Sequence, residues 1–343
     1  MAKLKIVTTG PGGTDHSLEM EALTGLGAEI VEIAGGDDEL AKAVADADAI
    51  YAKGRPRITA KVIEAGKKLK VVSLGSVGVD SVDVHVATRL GIPVTNCPDT
   101  FIEEVADHAM TLILATWRRL VVQDRMVRNG EWTKARPMLY QFPRLMGQTL
   151  GFVSFGRVAR AVAKRAAPFG LRMMAYDPFI QETLMYDHGV IPATLNEVLS
   201  QSDFVSMHAP ARPEVHHMLT EKHFRQMKKG SIFINTGRGA TVDEESLIKA
   251  LQEGWIAHAA LDVLEKEPPS HNNPLLGMEN VTLTAHVASA SARFDEARKR
   301  RVGYELSLVL QGMWPVSCVN PSVLQNTALR RWQPVSMDRG PNS

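Results

Sequence analysis

The chain has 343 residues, with 39 Lys+Arg against 38 Asp+Glu and only 2 Cys. That length corresponds to about two domains at roughly 150 residues each, and a content of 45% hydrophobic and 22% charged residues is that of an ordinary globular protein. A disordered chain, a fibrous repeat and a disulfide scaffold are excluded, and a net charge of +1 argues against a protein devoted to nucleic acid or an anionic membrane.

Strand-like and helix-like segments alternate from the start. Residues 5–9 read as a strand, 16–26 as a helix, 30–33 as a strand and 39–47 as a helix. Strands at 49–51, 70–74 and 92–95 then alternate with helices at 58–65 and 82–90. Such alternation with short connections predicts a parallel sheet covered by helices on both faces. A long helical stretch is expected at 102–128, followed by a loop or arm over 129–147. A second series begins at Thr149, with strands at 149–153, 172–176, 204–207, 231–235, 259–262 and 281–283. A helix over 292–311 ends the folded part, and a polar tail follows Pro321. Either series alone makes a Rossmann-like or flavodoxin-like unit.

Cys97 and Cys318 form no C-x-x-C pair, which fits a reducing compartment. The apolar runs are too short for a signal peptide or a bilayer span, so a soluble, cytoplasmic protein with no membrane partner is expected.

The second series opens on Gly151-Phe-Val-Ser-Phe-Gly-Arg-Val-Ala-Arg160, between a strand and a helix. Against the dinucleotide fingerprint G-x-G-x-x-G/A it reads Ser154-x-Gly156-x-x-Ala159. Gly156 lets the backbone approach a pyrophosphate at the helix N-terminus, and Ala159 permits close helix–strand packing. Ser154 departs from the glycine that a tight turn favours. Asp177 ends the next strand, where an acidic side chain accepts the adenosine ribose hydroxyls and repels a 2′-phosphate. NAD is therefore expected over NADP; an ordinary strand–turn–helix with an Asp cap is the alternative.

Three ionisable residues follow the last three strands: Arg238, Glu267 and His286. In a parallel sheet they share the carboxyl edge, beside the ligand crevice. Arg offers a planar fork to a carboxylate. His gives a proton to a carbonyl oxygen as hydride reaches the carbon. A Glu beside the imidazole favours its protonated form. Together with a dinucleotide they suggest reduction of a 2-keto acid. Taken singly, each also reads as a common turn or loop residue.

These motifs resemble the D-isomer-specific 2-hydroxyacid dehydrogenase family, from about Lys5 to Pro321. The strongest stretch is Asn235-Thr-Gly-Arg-Gly-Ala-Thr-Val-Asp243, continued by 250–254, Leu261-Asp-Val263 and Glu267-Pro268. Val105-Ala-Asp-His108 resembles the family's Val-Ala-Glu-His helix. The resemblance implies an NAD-dependent enzyme with a dinucleotide domain (101–291) inserted into a substrate domain (1–100 and 292–321), the site lying in a cleft, and 322–343 as a tail. It implies that Arg238 binds the substrate carboxylate, that His286 is the acid/base and that Glu267 orients and charges it. Cofactor contacts are implied for Ser154, Phe155, Gly156, Arg157, Val158, Tyr176, Asp177, His208, Ala209, Pro210, Thr236, Gly237, Asp262 and Ala288, with Asp262 near the nicotinamide carboxamide. Ser76, Val77 and Gly78 are implied on the substrate side, their N–H groups facing the carboxylate. A homodimer paired through the dinucleotide domains, the 117–136 segment included, is also implied.

The loop Ala52-Lys-Gly-Arg-Pro-Arg57 resembles the place where phosphoglycerate dehydrogenases hold the substrate phosphate, so Lys53 and Arg55 are candidates for a second anionic group. A solvated basic turn is the alternative. His208, His216 and His217 match no zinc spacing, and no metal is expected. Ala285 stands where the family usually carries Pro before the catalytic His. Residues 96–106 are similar to the NAD(H)-binding C-terminal-binding-protein corepressors, an alternative to an enzyme. A dehydrogenase of a phosphorylated or dicarboxylic acid such as 3-phosphoglycerate is a second alternative. Glu267 argues against a formate dehydrogenase, which carries Gln there.

Overall fold

The computed structural model describes residues 3–331. The chain divides into two compact units, unit 1 before Ile102 and after Ser291, and unit 2 between them, Ile102–Ser291. Unit 1 contains a five-stranded sheet of β1 (Leu4–Thr9), β2 (Ala28–Ile33), β3 (Ala49–Ala52), β4 (Val71–Leu74) and β5 (Val94–Thr95), in the order β2-β1-β3-β4-β5. Unit 2 contains β6 (Thr149–Val153), β7 (Arg172–Tyr176), β8 (Ile191–Pro192), β9 (Phe204–Met207), β10 (Ile232–Asn235), β11 (His258–Leu261) and β12 (Val281–Leu283). Their order is β12-β11-β10-β9-β6-β7-β8. Every strand pair in both sheets is parallel.

The inner strands β3, β4, β6, β9 and β10 are largely apolar and fully buried because both faces of each sheet are covered. In β10, Ile232 and Ile234 enter one core with Phe152 and Phe204, while Phe233 enters the opposite core with Val205 and Phe224. Unit 1 does the same: Ile50 and Val72 pack on one face, Tyr51 and Val71 on the other. Each such fully buried large side chain stabilises the fold by about 1.5–3 kcal/mol. In unit 2 the order reverses direction at β6, which lies between β9 and β7; this is the switch point at which doubly wound sheets open a crevice.

Several local expectations need correction. The stretch 102–128 is two helices, Ile102–Trp117 and Leu120–Arg128, because Arg119 takes a left-handed φ of 52°. That break turns the Arg119 guanidinium inward to His258 Nδ1 at 2.7 Å. The 129–147 arm contains a helix, Trp132–Met138, anchored by the buried Ala135. The first helix is only Ser17–Glu21, since Gly25 and Gly27 turn the chain with positive φ. Strand β8 was not anticipated because two residues carry no periodicity. The chain also stays packed beyond Pro321: Val323 and Leu324 are buried in the 3-10 helix Pro321–Asn326. Of the expected tail, residues 332–343 lie outside the described residues. Among those described, no helix is long and apolar enough to cross a membrane.

Candidate active site

β10, β11 and β12 are neighbours, and each delivers an ionisable group past its carboxyl end. After β10, Asn235 shapes the turn. Its Oδ1 accepts the Gly237 N–H at 2.9 Å and its Nδ2 donates to the Arg238 carbonyl at 3.1 Å. Thr241 Oγ1 donates to that same carbonyl at 2.6 Å. Gly239 cannot carry a side chain, because a Cβ would stand 2.0 Å from the Leu264 carbonyl. The Arg238 turn thus lies directly on the backbone of the loop that bears Glu267.

Glu267 accepts the Leu264 N–H on Oε1 at 3.1 Å and meets His286 Nδ1 with Oε2 at 2.7 Å. Burial pushes the Glu267 carboxyl up, but the hydrogen bonds from His286 and the Leu264 N–H outweigh it and hold it below its usual range. The hydrogen bond to Glu267 raises His286 above its usual value, although burial and the Arg238 charge oppose it. Nδ1 is therefore the protonated nitrogen facing Glu267, and Nε2 is the nitrogen left for chemistry. The ring is exposed.

Asp262, buried at the end of β11, builds the loop under His286. Its carbonyl accepts the His286 N–H at 2.8 Å. Its Oδ1 accepts Thr284 Oγ1 at 2.6 Å and the Val287 N–H at 2.9 Å, and Oδ2 accepts the Ala288 N–H at 3.0 Å. His108 Nε2 lies 2.9 Å from Thr284 Oγ1 and 3.5 Å from Asp262 Oδ1. Within the chain the carboxylate is satisfied by these donors, as a buried carboxylate must be. His286 itself holds a left-handed φ of 53°, a conformation this loop fixes without the proline that Ala285 replaces. Thr284 and His108 had no readable role in the sequence: the bonds to Asp262 link residues on separate elements.

At β6 the turn takes the shape of the fingerprint despite its serine. Ser154 has φ 73°, Gly156 caps the helix Arg157–Ala166, and Phe155 and Ala159 are buried. Ser154 Oγ donates to Asp177 Oδ2 at 3.1 Å, offsetting part of the cost of a β-carbon at positive φ. The Phe155 N–H donates to the same oxygen at 2.8 Å, and the Phe179 N–H to Oδ1 at 2.9 Å. Asp177, beyond Tyr176 at the end of β7, thus ties two strand ends together. A Cβ on Gly156 would meet nothing within 4 Å, so open space lies before the helix N-terminus that begins with Arg157 and Val158. Burial pushes His208 down to about 4, and the neutral ring pairs with Ser206 Oγ at 2.8 Å. Ala209 beside it is buried and Pro210 exposed. Thr236 Oγ1 is a buried hydroxyl with no hydrogen-bond partner among the described residues. Ala288 is buried. Open space at a helix N-terminus, a positive-φ turn and an orphaned buried hydroxyl suit a dinucleotide along this carboxyl edge.

In unit 1, Ser76 Oγ donates to the Gly78 carbonyl at 2.6 Å and Asn96 Nδ2 to the Val77 carbonyl at 2.7 Å. Among the described residues no backbone acceptor takes the N–H of Val77 or Gly78. Lys53 Nζ is 2.8 Å from Glu32 Oε1, and that bond draws Glu32 down to about 2. The Lys53 charge is thus neutralised by a carboxylate on β2, which the local basic sequence gave no sign of. Arg55 is exposed in the same loop.

The three histidines also separate. His208 is at β9, while His216 and His217 approach Glu265, with one ligand atom from each of the three within 4.8 Å of the others. Spacing along the chain could not find this group, since its carboxylate comes 48 residues after His217.

Residues 110–288 match the family model "D-isomer specific 2-hydroxyacid dehydrogenase, NAD binding domain". The chain is 43% identical over 283 residues to the glyoxylate reductase of Korarchaeum cryptofilum, covering 82% of this chain and 85% of that one. It is 40% identical over 299 residues to that of Thermofilum pendens, covering 86% and 87%. A solved structure of the NADPH-dependent glyoxylate/hydroxypyruvate reductase of Sinorhizobium meliloti, in complex with NADP and malonate, is 30% identical with a TM-score of 0.80, covering 93% of this chain and 97% of that one.

Proposed function

This chain belongs to the D-isomer-specific 2-hydroxyacid dehydrogenase family, NAD-dependent oxidoreductases acting on CH–OH groups, and we propose that it reduces small 2-keto acids, glyoxylate and hydroxypyruvate foremost. The observation that carries this reading is the 2.7 Å bond between His286 Nδ1 and Glu267, on loops packed against the Arg238 turn.

The Ser154–Val158 turn, Asp177 and Thr236 would hold the dinucleotide. Asp177 keeps an acidic group where a 2′-phosphate would lie, so NADH is preferred to NADPH. The bound cofactor supplies a hydride to the keto carbon. Arg238 grips the substrate carboxylate with its guanidinium fork. His286 donates a proton from Nε2 to the keto oxygen, completing the hydroxyl. Glu267 keeps Nδ1 protonated and the ring in one orientation, and stabilises the imidazolium before transfer. Asp262, with Thr284 and His108, positions His286 through the loop rather than by touching substrate.

Glyoxylate and hydroxypyruvate are favoured over a phosphorylated or dicarboxylic acid because Lys53 is already paired with Glu32. Relatives named glyoxylate reductase support the same choice. A homodimer is part of this reading: Leu120, Val121, Trp132 and Tyr140 leave large apolar surface exposed on the 117–141 segment.

The test is NADH oxidation by the purified chain with glyoxylate, hydroxypyruvate, phosphohydroxypyruvate and larger 2-keto acids. Glyoxylate or hydroxypyruvate should give the highest kcat/KM. Tight NADH binding with no turnover of any keto acid would make the protein a dinucleotide-dependent binding protein instead.

A further inference from the structure

We propose that His216, His217 and Glu265 form a binding site for a divalent transition metal, Zn2+ being the ion best suited to it. The ligand atoms of the three side chains lie within 4.8 Å of one another. Two imidazoles and a carboxylate are a donor set for zinc and its neighbours; Mg2+ and Ca2+ call for oxygen ligands.

The ligands are held by the fold. His217 takes a left-handed φ of 49°, and its N–H donates to the Ala240 carbonyl at 2.9 Å. That conformation places the His216 and His217 rings face to face, centroids 4.0 Å apart. Glu265 is fixed on the other side by a reciprocal pair with Glu244. The Glu265 N–H donates to Glu244 Oε2 at 2.9 Å, and the Glu244 N–H to Glu265 Oε2 at 3.2 Å. With Oε2 so anchored, Oε1 is the oxygen that meets His217 Nε2, at 2.7 Å. Outer bonds that orient a ligand in this way are the usual support of a metal site.

Binding needs side-chain rotation but no change of fold. Zinc bonds of about 2.1 Å in a tetrahedron put neighbouring ligand atoms roughly 3.4 Å apart. The Nε2–Oε1 pair opens by about 0.7 Å as its hydrogen bond is replaced by two metal bonds, and the His216 ring turns out of its stack on His217 so that both lone pairs meet one ion. Water completes the coordination of three protein ligands at an open surface.

The position gives the site a consequence. Glu265 shares a loop with Glu267, and the His217 backbone is bonded to the 239–241 turn that follows Arg238. An ion here braces two catalytic loops from outside, without touching His286.

The experiment is calorimetric titration of Zn2+ into the full chain, prepared without a histidine tag, alongside thermal unfolding. The expected result is one Zn2+ per chain and a higher Tm with the metal. His216→Ala, His217→Asn and Glu265→Gln should each weaken binding by at least about tenfold and abolish the Tm gain, while His286→Ala leaves both unchanged. Lack of saturable binding overturns the proposal. So does binding that survives His216→Ala and Glu265→Gln, or that disappears in His286→Ala, which would place the ion in the active site. His216 is exposed, so His216→Ala decides the matter even if another variant fails to fold.

Discussion

Both sheets bring cations and histidines to the carboxyl ends of their strands, yet the two ends are built to opposite purposes. In unit 1, Lys53 is bonded to Glu32, and His16 lies 3.3 Å from Glu19 and 3.4 Å from Glu32. Glu19 and Glu32 are both almost inaccessible to solvent. These groups face one another within unit 1. In unit 2, Glu267 Oε2 meets Nδ1 of an exposed His286, and the loops beneath are fixed largely by Asp262, Asn235 and Gly239, with Glu267 Oε1 accepting the Leu264 N–H. A run of basic residues is thus an incomplete guide to an anion site, because a neutralising carboxylate can come from another strand, as Glu32 does for Lys53. A rigid frame that leaves one reactive edge uncovered is a better one.

That contrast can be broken by mutation. The largest effect is expected for His286→Ala, which should lower kcat about 100- to 10,000-fold while NADH binding, followed by fluorescence, is retained. Next comes Arg238→Gln. Loss of a charge-assisted bond to the carboxylate, worth about 1.5–3 kcal/mol, should lower kcat/KM roughly 10- to 150-fold, mostly through KM in steady-state assays. Lys53→Met should have the smallest effect on turnover, changing KM for glyoxylate less than about twofold, because the pair is structural. Its effect should appear in stability, about 1–3 kcal/mol in urea unfolding, since Glu32 is left buried without its cation. A large KM effect with unchanged stability would reverse the comparison and return Lys53 to the substrate.

Much of this was legible in the sequence. The strands of unit 2 read clearly because apolar runs bounded by turn residues are a local signal, and Arg238, Glu267 and His286 were visible as ionisable residues just past strand ends. Ser154 could be seen to depart from glycine, but not that the turn would hold φ 73° with Asp177 beneath it. What stayed hidden was non-local. The partner of Lys53 lies 21 residues away, the hydrogen bond from Val287 to Asp262 spans 25, and that between His217 and Glu265 spans 48. Such pairs are set by strand order, which no window of sequence contains. The helix break at Arg119 was equally unreadable, because the partner its guanidinium meets is a histidine on β11.

The central claim is that Glu267 sets the protonation of His286. Reduction needs the imidazolium. Glu267 raises the His286 pKa, so kcat/KM for glyoxylate should be high at low pH and fall as pH rises through that raised value. Glu267→Gln removes the negative charge, lowers the His286 pKa and must bring the fall to lower pH. The deciding measurement is the pH profile of kcat/KM for NADH-dependent glyoxylate reduction in the wild type and in Glu267→Gln. The account predicts a basic limb displaced to lower pH in the variant; limbs that coincide would contradict it.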